Sequence, residues 1–160
     1  GFLRFSTDNP RSLNDIDPGS KAFALDPGRI YINLKGKYPR GSVDPKDRDV
    51  LIEKLCEAFY SLEVDGKKVI KHIYRKEEIY EGPHVDRAPD LVLLANRGYN
   101  LRAGIKSKQL TSKDIFTGKH TQEDAFLLTR GCFDDIIPSS PKVSDVIGII
   151  EKIHKEGRNA

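Results

Sequence analysis

Methionine is absent from this chain, which begins Gly1-Phe2-Leu3. Without an initiator, the expectation is a single excised piece of a longer protein, spanning residues 1–160. Cysteine is scarce: Cys56 and Cys132 stand far apart, and neither has a Cys-x-x-Cys partner. Cys56 falls on the core side of a predicted helix, where a reduced, buried thiol is expected, and a cytoplasmic location follows. No apolar run approaches the ~20 residues needed to span a bilayer. No basic start followed by an apolar run marks a secretory signal.

Charge is spread rather than concentrated. The formal net charge is +3, and the densest basic clusters are Lys35-Gly36-Lys37 and Lys67-Lys68. Neither has the interleaved aromatics of a nucleic-acid platform, so neither nucleic acid nor membrane is an expected partner. Two catalytic patterns are missing as well. Lys119-His120-Thr121 lacks the GxxxxGK[ST] spacing of a phosphate loop. Ser139-Ser140 lacks the paired histidine and acid of a nucleophile and reads as a helix cap.

What is present suffices for one modest core, with 38% hydrophobic and 32% charged residues. Residues 1–20, rich in Asn, Asp, Ser, Pro and Gly, read as an extended lead-in with turns at Asp8-Asn9-Pro10 and Asp17-Pro18-Gly19. Ala22-Phe23-Ala24-Leu25 and Ile30-Tyr31-Ile32-Asn33-Leu34, parted by Asp26-Pro27-Gly28, predict a hairpin. A basic loop follows over 35–42.

Asp44-Pro45 then supplies an N-cap with proline at the first helical position. Leu51, Leu55, Ala58, Phe59 and Leu62 form one helical face behind it. Asp65-Gly66 turns the chain into a strand over 69–74 with Ile70, His72 and Tyr74 on one face. A helical turn is predicted over 76–80, ended by Gly82-Pro83. Leu91-Val92-Leu93-Leu94-Ala95 predicts a strand covered on both faces.

Residues 98–113 read as a long loop. His120 follows in Phe116-Thr117-Gly118-Lys119-His120-Thr121, ahead of a predicted buried strand over 125–128. Ser140-Pro141 opens a last helix with Val143, Val146, Ile147, Ile150 and Ile153 on one side. The fold class is α/β, a mixed sheet flanked by helices with a small α+β insertion over 35–85. No internal repeat and no low-complexity segment interrupts it.

Four stretches carry a resemblance. Gly1-Phe2-Leu3 resembles the segment shortly after the Asp-His-Gly metal motif of the alkaline phosphatase superfamily. Lys21-Ala22-Phe23-Ala24-Leu25 with Gly28-Arg29-Ile30-Tyr31-Ile32-Asn33-Leu34 resembles its KAYAL and GGIYINL pair. Tyr80-Glu81-Gly82-Pro83 with Ala88-Pro89-Asp90-Leu91 resembles YxGP and APDL. Gly118-Lys119-His120 through Phe126 resembles GxHxxxGxF, whose histidine is a metal ligand. The branch resembled is the type I phosphodiesterase and nucleotide pyrophosphatase group, including predicted phosphohydrolases and phosphomutases. Asp124 departs from the pattern, which has glycine there.

The resemblance implies the C-terminal part of a metal-dependent phosphohydrolase cleaving phosphate mono- or diesters. Its Ser or Thr nucleophile, its metal-binding aspartates and its Asp-His-Gly histidine would lie upstream. Two divalent ions, zinc or manganese, would serve the parent enzyme, and His120 is the one metal ligand carried here. No catalytic or cofactor-binding residue is expected in this piece, which alone would be inactive and would bind no metal tightly, since one ligand cannot fix coordination geometry. Thr117, Thr121, Glu123 and Asp124 are candidates to orient that imidazole.

The implied partner is a small phosphate ester, and an exposed sheet edge would allow self-association. The alternatives are a phosphomutase of the same superfamily and a non-catalytic α/β binding domain. His120-Thr121 with Ala125-Phe126 also resembles the phosphoglycerate mutase ending, in which a similar histidine binds manganese. His72, His84 and His154 are expected to be structural or surface residues. Glu77-Glu78 and Asp134-Asp135 are expected to be solvated charge.

Overall fold

Alternation and a tight turn build the first hairpin. Strand β1 (Ala22–Asp26) pairs antiparallel with β2 (Arg29–Ile32), placing Phe23 opposite Tyr31. At the turn Gly28 takes φ 71°, and a Cβ there would sit 2.8 Å from the Leu93 carbonyl oxygen. The turn conformation and the close approach of the next strand both require glycine. The computed structural model describes residues 1–107, 109–113, 126–130 and 135–156, in two compact units, Gly1–Lys119 and His120–Ala160.

In the first unit, helix α1 (Arg48–Tyr60) follows a short 3-10 turn over Pro45–Asp47. Asp44 caps that turn, its carboxylate accepting from the Lys46 amide at 3.3 Å. A two-residue hairpin, β3 (Glu63–Val64) and β4 (Lys67–Lys68), then leads into β5 (Ile70–Arg75) and the single turn α2 (Lys76–Ile79). Strand β6 (Leu91–Ala95) completes a four-stranded antiparallel sheet ordered β1-β2-β6-β5. The expected α/β class, a sheet with flanking helices, is what the chain forms. Segment 35–85 contributes α1 to the core and β5 to this sheet.

The core lies between the sheet and α1. Ile32, Ile52 and Leu91 are fully buried, joined by Leu51, Leu55, Ile70 and Ile73. The predicted helical face holds through Leu51 and Leu55, while Ile52 widens the stripe. Consecutive residues Tyr31 and Ile32 are both buried, so β2 is covered on both faces. Ile32 enters the core. Tyr31 stacks on Phe23 (ring centroids 5.6 Å), and Tyr38 meets Phe23 edge-on at 5.1 Å.

Four expectations are corrected. The lead-in holds a helical turn over Leu13–Asp15, because the Asp15 carboxylate accepts from the Arg11 and Ser12 amides at 2.7 and 3.0 Å. In β5, Ile70 does not share a face with His72. The register shifts between them, so Ile70 and Ile73 are buried while His72 is exposed beside Tyr74.

The buried strand expected over 125–128 is not formed in its described part. Phe126 and Leu128 are 90% and 86% exposed, and residues 126–130 have no ladder partner among the described residues. Ala125 lies outside the described residues. An apolar run becomes a strand only where another strand receives its backbone bonds.

The last helix, α3 (Val146–Glu156), starts later than Ser140-Pro141 suggests. Asp145 closes a preceding turn by accepting from the Lys142 amide at 2.8 Å. Along this stretch Ile149 is buried, while Val143, Val146, Ile147 and Ile150 of the expected apolar side are exposed.

Candidate functional site

His120, with Thr117, Thr121, Glu123 and Asp124 around it, lies outside the described residues. Among the described residues, no group of three His, Cys, Asp or Glu side chains could hold a metal ion. The described residues therefore do not by themselves fit a two-metal centre. His72, His84 and His154 are exposed, as expected of surface residues. Cys56 is a half-buried free thiol whose pKa burial pushes up, which keeps it protonated and unreactive. Cys132 and Asp134 lie outside the described residues. Glu77 and Glu78 are engaged: Glu77 pairs with Arg48 at 3.0 Å, and Glu78 accepts from the Arg75 amide at 2.7 Å.

The described charge centre is Asp90, which sequence reasoning quoted only as part of a motif. It sits just before β6, fully buried. One carboxylate oxygen accepts from the Ile32 amide at 2.8 Å, and the other accepts from Arg48 Nε at 3.0 Å. Arg48 Nη2 lies 2.9 Å from that second oxygen, and Lys76 Nζ lies 3.6 Å from it. One side chain thereby joins the end of β2, the first residue of α1 and the first residue of α2.

The cost of burying a carboxylate is offset here by two cations and a backbone donor. Burial draws the Arg48 pKa down, but its bond to Asp90 and the charges of Asp90 and Glu77 outweigh this and hold it above the ordinary value. The signal available in the sequence was Pro89-Asp90 abutting an apolar strand, a place where a carboxylate must be paired.

Beside this centre stands the basic loop over 35–42. Lys37 Nζ lies 5.4 Å from the centre of the Tyr38 ring. Burial, then the charges of Asp90 and Tyr31, push the Tyr38 phenol up to about 12. At neutral pH that phenol is a hydrogen-bond donor and no base. A separate open groove of about 640 Å³ runs between residues 7–11 and 105–107.

Among the described residues no helix is long and apolar enough to cross a membrane. No curated protein and no solved structure matches the chain. A family model does, over residues 1–123, a span that takes in the hairpin, α1, β5, β6, Asp90 and the stretch holding His120. The chain belongs to the type I phosphodiesterase / nucleotide pyrophosphatase family, a family of hydrolases that act on phosphate esters.

Proposed function

We propose that the chain is the C-terminal portion of a metal-dependent phosphohydrolase that cleaves small phosphate mono- or diesters. His120 is its one metal ligand, and the Ser or Thr nucleophile and the other ligands come from outside these 160 residues. The family match through residue 123 carries this reading, because it includes the Gly118-Lys119-His120 stretch. A lone imidazole supports metal chemistry only in company with further ligands, and this reading assigns those to the parent protein.

Zinc and manganese both suit a histidine ligand. Segment 35–85 would wall the substrate cleft, and β1, at one edge of the sheet, would be the place for a second copy to pair. The free Cys56 thiol and the lack of a Cys-x-x-Cys pair in the sequence favour the cytoplasm.

The test is hydrolysis of nitrophenyl phosphate and bis(nitrophenyl) phosphate by the full-length protein with zinc or manganese, beside its His120→Ala variant. Loss of a ligand should lower activity by about 100-fold or more, with metal content falling in parallel. Equal activity in the two proteins would refute the ligand role.

A further inference from the structure

Strand β1 lies at one edge of the sheet, and among the described residues β2 is its one ladder partner. Antiparallel pairing turns the backbone groups of alternate residues away from the partner strand. Ala22 is one such residue, because its amide donates to the Phe2 carbonyl at 3.1 Å. Ala24, two residues on, presents its amide and carbonyl to the same side. Among the described residues nothing bonds to either. A groove of about 430 Å³ runs beside this stretch, lined in part by Leu13, Ala24, Leu25 and Ile105. Leu13 and Leu25 are exposed. An open edge beside exposed leucines is a template for an added strand.

The chain also holds a run with the complementary need. Phe126-Leu127-Leu128-Thr129-Arg130 has the composition of a strand and the five-residue length of β1. It has no ladder partner among the described residues, and Phe126, Leu127 and Leu128 are all exposed. In an extended segment Phe126, Leu128 and Arg130 share one face. Charge sets the direction of pairing. Laid parallel to β1 with Leu128 beside Ala24, the run brings Arg130 to Asp26, and both are exposed. The antiparallel sense would set Arg130 next to Lys21.

We propose that β1 receives residues 126–130 of a second copy as an added strand, with Phe126 and Leu128 filling the groove along Leu13, Leu25 and Ile105. Each copy carries one open edge and one unpaired run, so two copies satisfy both in a closed, two-fold pair. The inference rests on the self-association reading above and names the strand that the second copy brings. It needs neither metal nor nucleophile.

The test is sedimentation velocity of the 160-residue chain over a concentration series, with hydrogen exchange read at the Ala24 amide. A dimer should form, and Ala24 exchange should slow as it does. Phe126→Asp with Leu128→Asp should weaken the dimer by about tenfold or more, and so should Leu25→Lys. Val143→Asp, which changes an exposed residue outside both strands, should leave it unaltered. A dimer lost on Leu25→Lys but indifferent to the 126 and 128 changes would keep the β1 edge and overturn residues 126–130 as its partner. Equal weakening by Val143→Asp would overturn the proposal, as would slow Ala24 exchange in a monomer. A chain monomeric at every concentration would overturn both this pairing and the self-association reading. A dimer that disappears in the full-length protein would assign the two surfaces to the rest of the parent and overturn it too. None of these outcomes touches the His120 assay.

Discussion

Arg48 and Asp90, 42 residues apart in sequence, meet at 2.9 Å with the carboxylate fully buried. The pair joins the start of α1 to the start of β6, and the same carboxylate holds the Ile32 amide of β2. Removing the carboxylate would leave Arg48 and Lys76 facing each other without their shared acceptor. Asp90→Ala should destabilise the chain by about 3–5 kcal/mol, read as a lower urea midpoint. An unchanged midpoint would show that the pair does not anchor the fold.

The second expectation concerns neighbours on α1. Ile52 is fully buried, while Val50 is 58% exposed. Ile52→Ala should cost about 2–5 kcal/mol, and Val50→Ala should stay within about 0.5 kcal/mol. Thermal unfolding of the two variants side by side checks the orientation of the helix. Equal losses would mean that α1 is rotated.

Gly41 provides a third check. Because a Cβ there would overlap the Leu34 carbonyl, Gly41→Ala must move backbone. The expected loss is about 1–3 kcal/mol, together with amide shifts over residues 35–42. A variant as stable as the parent, with an unaltered loop spectrum, would contradict the close approach.

Tyr38 gives a pH signature. Its phenol is held at about 12 in the folded chain, against 10.0 for an unperturbed tyrosine. Between these values the unfolded chain loses the proton that the folded chain keeps. The Tyr38 contribution is therefore fully present below pH 10 and is lost as pH rises through the folded value. Stability should fall over that alkaline window, with a shallower slope in Tyr38→Phe. Phenolate absorbance should lose its late-titrating step in the same variant. Identical titration curves would rule out the shift.

Much of the fold was legible in the chain because it is local. Proline and glycine between two β-type runs specify the first hairpin, and Asp44-Pro45 starts the turn that leads into α1. The unbroken run at β6 announced a strand covered on both faces, and none of its residues is exposed. The failures have physical causes. The register shift that parts Ile70 from His72 is set by pairing with β6, which the pattern of β5 alone does not contain. The apolar run at Phe126-Leu127-Leu128 has the composition of a strand without a ladder partner among the described residues.

The candidate site divides the same way. Family membership was readable from motifs, because motif spacing is carried by the chain itself. What the sequence alone determined is therefore the α/β class, the hairpin, the helix and the hydrolase family. The tertiary structure decided that Asp90 is the buried junction of β2, α1 and α2, and that Lys37 rides on Tyr38 beside it. Both depend on charges and rings brought together across long separations, where burial fixes which partners a side chain must find.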